Sequence, residues 1–202
     1  MIAYLTGEIT ASTAFLGILF AFAATCFFIT KFNRYLPCDM GRAYAVDGKK
    51  SAGKPRGAGI IFILVFAVSA LIFAEITLET GIYLLLIVAE MLTGYLDDAS
   101  EHPWNEYKKG LLDLAVAVAV AITYLTFHSN EVYLAVFQKT LFIPPVLFCI
   151  LTVILVWGSI NVTNCADGVD GLSGTLAIIT LGTIYVIGEI TGHSDNFSLF
   201  IL

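Results

Sequence analysis

Long apolar runs separated by short polar segments dominate this chain. Six of the runs approach the length of a membrane-spanning helix, and they cover residues 11–30, 57–75, 81–96, 110–127, 141–160 and 171–188. A transmembrane helix needs about 20 predominantly apolar residues to cross a hydrocarbon core of ~30 Å. The third run is short and reaches this length only if its helix continues through Asp97. The pattern therefore predicts an all-α fold, a polytopic bundle of about six transmembrane helices.

The composition supports the membrane class. Hydrophobic residues make up 58% of the 202 positions and charged residues 13%, whereas soluble domains average about 45–50% and about 25%. A seventh apolar run begins near Phe197 and stops at Leu202. We therefore expect residues 1–202 to form a single integral-membrane domain that is the N-terminal part of a longer polypeptide.

The distribution of basic residues predicts the orientation. Seven of the ten Lys and Arg residues lie in or beside the first loop, two lie in the third loop, and only Lys139 lies in an even-numbered loop. Because positively charged loops stay in the cytoplasm, the odd-numbered loops are predicted to be cytoplasmic and the N-terminus to be outside. The net charge of −6 predicts no partner, since the first loop is basic and the third acidic. The sequence lacks the basic pattern of a nucleic-acid-binding protein.

A repeated polar motif follows the fifth run. From Asn161 the sequence reads N-V-T-N-C-A-D-G-V-D-G-L, so that Asn161, Asn164, Asp167 and Asp170 recur at every third position. An ideal α-helix would spread these side chains over half of its circumference, whereas a tightened or interrupted helix would align them, and the two Asp-Gly steps favour an interruption. Asn can bind a base, ribose or phosphate, and Asp can accept from ligand hydroxyls or metal-bound water. An ordinary Asn/Asp/Gly turn explains the residue types but not the repetition.

Two adjacent carboxylates, Asp97 and Asp98, end the third run in the motif G-Y-L-D-D. They repel each other unless a cation or basic side chain lies nearby, or unless one carboxyl holds a proton. Mg²⁺ suits such a place, because it takes few carboxylates and completes its octahedron with water and phosphate oxygens. A solvated acidic helix end is the alternative. Since both motifs fall on the same predicted side of the membrane, together they predict a site for a cation and a phosphorylated ligand.

Basic and intramembrane charged residues are weaker candidates. Lys49 and Lys50 precede the glycine-containing segment S-A-G-K-P-R-G-A-G-I, which can wrap a phosphate. The topology rule alone also explains these lysines, and Lys109 has the same ambiguity. Glu90 and Asp113 lie within predicted spans, where they either face a polar interior or contribute to a site.

Three segments together resemble the polyprenyl-phosphate N-acetylhexosamine-1-phosphate transferases. They are N-x-x-N-x-x-D-G-x-D-G-L from Asn161, G-Y-L-D-D from Gly94, and K-K-S-A-G-K-P-R-G-A-G-I from Lys49. Within that superfamily the sequence is most similar to the bacterial phospho-N-acetylmuramoyl-pentapeptide transferases. It departs from them in having K-P-R-G-A-G in place of T-P-T-M-G-G, and Glu101 in place of a Lys. Members of the family span the membrane ten times, and their later half carries another Asp and a His-rich loop.

The resemblance implies an enzyme of peptidoglycan synthesis in the bacterial plasma membrane. The reaction would transfer phospho-MurNAc-pentapeptide from its UDP conjugate to undecaprenyl phosphate at the cytoplasmic face, forming lipid I and UMP. The implied catalytic residues are Asp97, Asp98 and Asp170, and the implied substrate-binding residues are Lys49, Lys50, Lys109, Asn161, Asn164 and Asp167. Mg²⁺ would be held by Asp97 and Asp98, with a further ligand beyond residue 202. A homodimer is a further expectation.

Two alternatives stay open at this point. A related transferase would pass GlcNAc-1-phosphate to the same lipid carrier. A transporter or cation channel would also use intramembrane carboxylates and interrupted helices, but it needs a polar path through both faces of the membrane.

Overall fold

The computed structural model describes residues 11–39, 52–100, 104–134, 136–166 and 171–191. Within these ranges the chain forms six α-helices: α1 (Ala11–Phe32), α2 (Gly59–Phe73), α3 (Leu78–Ala99), α4 (Glu106–Phe127), α5 (Pro145–Ala166) and α6 (Leu172–Thr191). A short 3₁₀ helix, Asn33–Tyr35, follows α1. Strands β1 (Glu131–Leu134) and β2 (Lys139–Phe142) pair antiparallel between α4 and α5. The predicted all-α membrane fold is confirmed, with this hairpin added.

Five of the helices are long and apolar enough to cross a membrane. The exception is α2, which has 15 residues and is about 22 Å long at ~1.5 Å per residue. Residues 57–75 were predicted as one of six runs of spanning length, and the helix that they form, Gly59–Phe73, is shorter than this run at both ends. The apolar side chains of α5 and α6 are largely exposed, which is the surface expected of helices that contact lipid.

The ends of two helices differ from the predicted ones. Helix α3 runs through to Ala99, so Asp97 and Asp98 lie in its last turn. Helix α5 covers Pro145–Ala166 instead of residues 141–160, because residues 139–142 form β2 and proline is favoured at the first position of a helix. Asn161 and Asn164 consequently lie within α5 rather than in a loop. Polar residues lower helix propensity by less than about 1 kcal/mol each, which does not end a long apolar helix.

The chain divides into two compact units. The first comprises residues 1–76, 91–104 and 178–202, and its described core lies between α1 and α2. Phe73 packs against α1, where its ring centroid is 5.6 Å from that of Phe20. A Cβ at Gly17 would lie 3.3 Å from Phe73, so the small residue permits this close approach. Val65, Ala67 and Ala70 are buried on α2.

The second unit comprises residues 77–90 and 105–177, and its described core lies between α4 and α5. The indole Nε1 of Trp157 donates a hydrogen bond to the carbonyl of Gly110 at 3.0 Å, and Tyr124 stacks on Phe148 with centroids 5.5 Å apart. These contacts pair the start of α4 with the end of α5, so the two helices are antiparallel. Small residues on α4 allow the backbones to approach, as is common in membrane helix packing.

Candidate functional site

Asp97 and Asp98 lie at an electrostatically unfavourable place. They occupy the last turn of α3, where the helix has no basic residue and where the helix dipole is negative. The backbone N–H of Trp104 donates to Oδ1 of Asp97 at 2.9 Å, which fixes one carboxylate. Two adjacent negative charges at the negative end of a dipole still require a nearby cation.

Arg56 is a cation in direct contact with this pair. Its Nε donates to Oδ1 of Asp98 at 3.1 Å, and its Nη2 donates to the same oxygen. The hydrogen bond to Asp98 raises the pKa of Arg56 against the opposing effect of burial, and the charges of Asp98, Asp39 and Asp97 raise it further. The contact was not anticipated from the sequence, where Arg56 counted only as one basic residue of the first loop.

Main-chain hydrogen bonds place Arg56 at this position. The backbone N–H of Asp39 donates to the carbonyl of Lys54 at 2.9 Å, that of Gly53 to the carbonyl of Asp39 at 2.8 Å, and that of Arg56 to the carbonyl of Pro37 at 2.8 Å. The segment before α2 is thus paired antiparallel with the segment after the 3₁₀ helix. This pairing fixes the backbone from which the arginine side chain extends.

Gly57 brings the loop close to the end of α3. Its φ of 71° lies in the left-handed region, which residues other than glycine rarely adopt. A Cβ at this position would lie 3.2 Å from Cδ2 of Tyr95 and 3.6 Å from Oδ2 of Asp98. Glycine is therefore required both by the backbone conformation and by the close approach to the carboxylate.

The donor set of this cluster suits magnesium. Both hydrogen bonds from Arg56 end on Oδ1 of Asp98, so neither uses its Oδ2. Mg²⁺ is commonly held by one or two carboxylates, with waters and phosphate oxygens in the remaining positions. In the part of the chain that the structure describes, no three His, Cys, Asp or Glu side chains converge as a metal site. Two adjacent carboxylates fit a metal ion whose remaining positions are filled by water and phosphate oxygens.

The other predicted site residues divide into two groups. Asn161, Asn164 and Lys109 belong to the second unit. Nδ2 of Asn161 donates to the carbonyl of Trp157 at 2.8 Å, within its own helix, and Asn164 is exposed. The charge of Lys109 acts on Glu90. The remaining four, Lys49, Lys50, Asp167 and Asp170, lie outside the described residues.

Helices of spanning length and a carboxylate pair at a helix end define a multi-pass membrane protein with a polar site at the end of a span. Comparison with known proteins identifies the family within this class: a family model described as glycosyl transferase family 4 matches residues 80–202. The chain belongs to that family.

Several curated proteins named phospho-N-acetylmuramoyl-pentapeptide-transferase are similar to the chain. The protein of Treponema pallidum (strain Nichols) is 43% identical over 158 residues, which cover 75% of this chain and 44% of the relative. That of Lacticaseibacillus paracasei is 31% identical over 194 residues, covering 87% of this chain and 59% of the relative. That of Aliarcobacter butzleri is 26% identical over 204 residues, covering 91% and 57%. The chain thus spans about half the length of the curated relatives it matches.

Proposed function

We propose that this protein transfers phospho-MurNAc-pentapeptide from its UDP conjugate to undecaprenyl phosphate, forming lipid I and UMP for peptidoglycan synthesis. The observation that carries the proposal is the Asp97–Asp98 pair, fixed by Trp104 and Arg56 at the end of a spanning helix. Family membership and the shared name of the relatives support the same reaction. They give no support to a transporter, or to transfer of GlcNAc-1-phosphate.

The chemistry of the proposed reaction matches the groups at the site. Phosphoryl-type transfer needs positioning and charge neutralisation more than covalent chemistry by the protein. Asp97 and Asp98 are proposed to hold Mg²⁺, which would neutralise the pyrophosphate charge. Arg56 orients Asp98 through its hydrogen bonds and has the planar donor geometry that binds phosphate oxygens.

The remaining roles rest on the family resemblance. Asn161 and Asp167 are assigned to binding of the nucleotide. Asn164 and Asp170 are assigned to the wall of the cavity, and Asp170 is also a catalytic candidate. The residues assigned to substrate phosphates are Lys49, Lys50 and Lys109. We place the active site on the cytoplasmic side, because the predicted cytoplasmic loops carry nine of the ten basic residues. Assembly as a homodimer belongs to the same proposal, and the mass of the solubilised protein measures it.

The direct test substitutes the two carboxylates, one at a time. Asp97→Asn and Asp98→Asn keep the size of the side chain but remove its charge, and we expect each to lower UMP release about 10²-fold or more. The assay uses membranes that contain the product of the native gene, supplied with UDP-MurNAc-pentapeptide, undecaprenyl phosphate and Mg²⁺. Glu106→Gln is the matched control, because Glu106 is an exposed acid in the first turn of α4.

Three results would contradict the proposal. Normal UMP release by both Asp variants would remove them from the active site. Activity that persists after chelation of divalent cations would exclude the metal role. Consumption of UDP-GlcNAc in place of UDP-MurNAc-pentapeptide would assign the other sugar.

A further inference from the structure

A completely buried carboxyl group lies on α4, apart from the site described above. Asp113 has 0% exposure, and so do Ala117 and Ala121, which follow it at successive intervals of four residues. The three residues therefore share the buried face of α4. An ionised carboxylate in such surroundings is very costly unless other groups compensate its charge.

Asp113 is also buried without a hydrogen-bond donor among the residues that the structure describes. Within those residues neither of its oxygens has a hydrogen-bond partner, and the same holds for the buried Oε2 of Glu90. Glu90 lies on α3 in the same compact unit as Asp113, and the two carboxyl groups interact directly. Ionised carboxylates can only accept hydrogen bonds, whereas a protonated carboxyl can donate one. A single proton on the pair would therefore provide the missing donor.

The neighbouring charges are consistent with one proton on the pair. Among the described residues, the positive charge that acts on Glu90 is that of Lys109. Lys109 precedes Asp113 by four residues, one helical turn, on α4. Helix α5, which packs on α4, has no Asp, Glu, Lys, Arg, His or Tyr, and its ionisable side chains are Cys149 and Cys165. Two ionised carboxylates would exceed the single positive charge, whereas one carboxylate and one acid would balance it.

A metal ion fits this place less well than a proton. The described residues contain no cluster of three or more His, Cys, Asp or Glu side chains that could bind one. A divalent cation with two protein carboxylates needs several waters to complete its shell, and Asp113 is sealed from solvent. A proton needs no further ligand.

We propose that Glu90 and Asp113 form a proton-binding site, a carboxylic acid hydrogen-bonded to a carboxylate, which joins α3 to α4 within the membrane. This pair carries one negative charge that Lys109 offsets. Glu90 lies on α3, seven residues before Asp97. The inference does not depend on the proposed transferase reaction.

Infrared spectroscopy of the solubilised full chain tests for the proton. At neutral pH the wild type should show the stretching band of a protonated carboxyl in a non-aqueous environment. Either Glu90→Gln or Asp113→Asn should abolish this band, because the amide takes over as donor and the remaining carboxyl ionises. Glu106→Gln, at an exposed acid, should leave it unchanged. If the wild type lacks the band, or if it persists in both single variants, the proposal is wrong.

Thermal unfolding gives a second and independent readout. The folded chain is expected to hold one proton at neutral pH, whereas the carboxyl groups of the unfolded chain ionise at about pH 4. The stability of the wild type should therefore fall as the pH rises from about 4 to neutral. The double variant Glu90→Gln/Asp113→Asn should lose this part of the pH dependence. An unchanged pH dependence in the double variant, or stabilisation of the wild type alone by Na⁺ or Mg²⁺, would overturn the proton assignment. Should a single variant fail to fold, the pH titration of the wild-type band still decides.

Discussion

Removal of the Arg56 side-chain charge separates a role in the site from a role in folding. Arg56→Gln deletes both hydrogen bonds to Oδ1 of Asp98 but retains a long polar side chain. The side chains of the pair are 37% and 35% exposed, so solvent screens the interaction, and such pairs contribute about 0.2–1 kcal/mol to stability. We therefore expect the free energy of unfolding to fall by no more than about 1 kcal/mol.

The expected effect on turnover is larger. Without Arg56, Asp98 loses the side chain that orients it, and two adjacent carboxylates remain at the negative end of α3. Loss of a group that orients a metal ligand lowers activity by about 10–100-fold, and a 100-fold loss corresponds to about 2.7 kcal/mol in the activation free energy. Arg56→Lys should recover only part of the activity, because lysine keeps the charge but lacks the planar fork of donors.

UMP release and thermal unfolding should be measured on the same preparations. Arg34→Gln is the matched control, because Arg34 lies in the same unit and contacts Tyr35 rather than a carboxylate. Its Nη2 donates to the hydroxyl of Tyr35 at 2.9 Å, and its guanidinium carbon lies 4.8 Å from the centroid of the tyrosine ring. The hydrogen bond to Asp98 raises the pKa of Arg56, so the guanidinium stays charged around neutral pH. The ion pair is lost only when strongly alkaline conditions deprotonate Arg56. The ratio of wild-type to Arg56→Gln activity should accordingly stay constant around neutral pH. Equal turnover of the Arg56→Gln and Arg34→Gln variants would refute the positioning role.

Two further predictions concern the loop and the topology. Gly57→Ala should destabilise the first unit by about 1–3 kcal/mol, because residue 57 has a positive φ and the added Cβ would lie 3.2 Å from Tyr95. Gly59→Ala is the control and should be neutral or stabilising, because its Cβ would have nothing within 4 Å. Equal melting temperatures of the two variants would count against the close approach at Gly57. In a background whose native cysteines are replaced by alanine, a membrane-impermeant thiol reagent should label Asp47→Cys only from the cytoplasm and Leu78→Cys only from outside, and the reverse pattern would invert the proposed orientation.

The helices and the carboxylate pair could be predicted from the sequence because their signals are local. A membrane-spanning helix satisfies its own backbone hydrogen bonds, so an apolar run of sufficient length nearly determines it. The hairpin was missed because its strands have only four residues each, and the apolar Leu141 and Phe142 were assigned to the following span. The start of α5 was misplaced for the same reason.

Arg56 was missed because its partner is distant in the sequence. Arg56 and Asp98 are 42 residues apart, and no local pattern relates them. The positive-inside rule also explained every basic residue of the first loop, which left no reason to single one out. Only the backbone pairing of residues 37–39 with 53–56 reveals which of these residues reaches the carboxylate.

Helix α3 illustrates how non-local partners make a membrane helix tolerable. It carries four acidic residues, Glu79, Glu90, Asp97 and Asp98, and no basic one, so in isolation it would be a poor membrane helix. Each end and the middle has a partner from another element: His128 bonds Glu79 at 2.7 Å, Asp113 interacts with Glu90, and Arg56 bonds Asp98. These partners come from the first loop, from α4 and from His128, which directly follows α4, so the acidic side chains of α3 favour the packing of these segments beside it. Substitutions that remove a partner should therefore affect α3 more than substitutions of equal size on the lipid-exposed faces of α5 and α6.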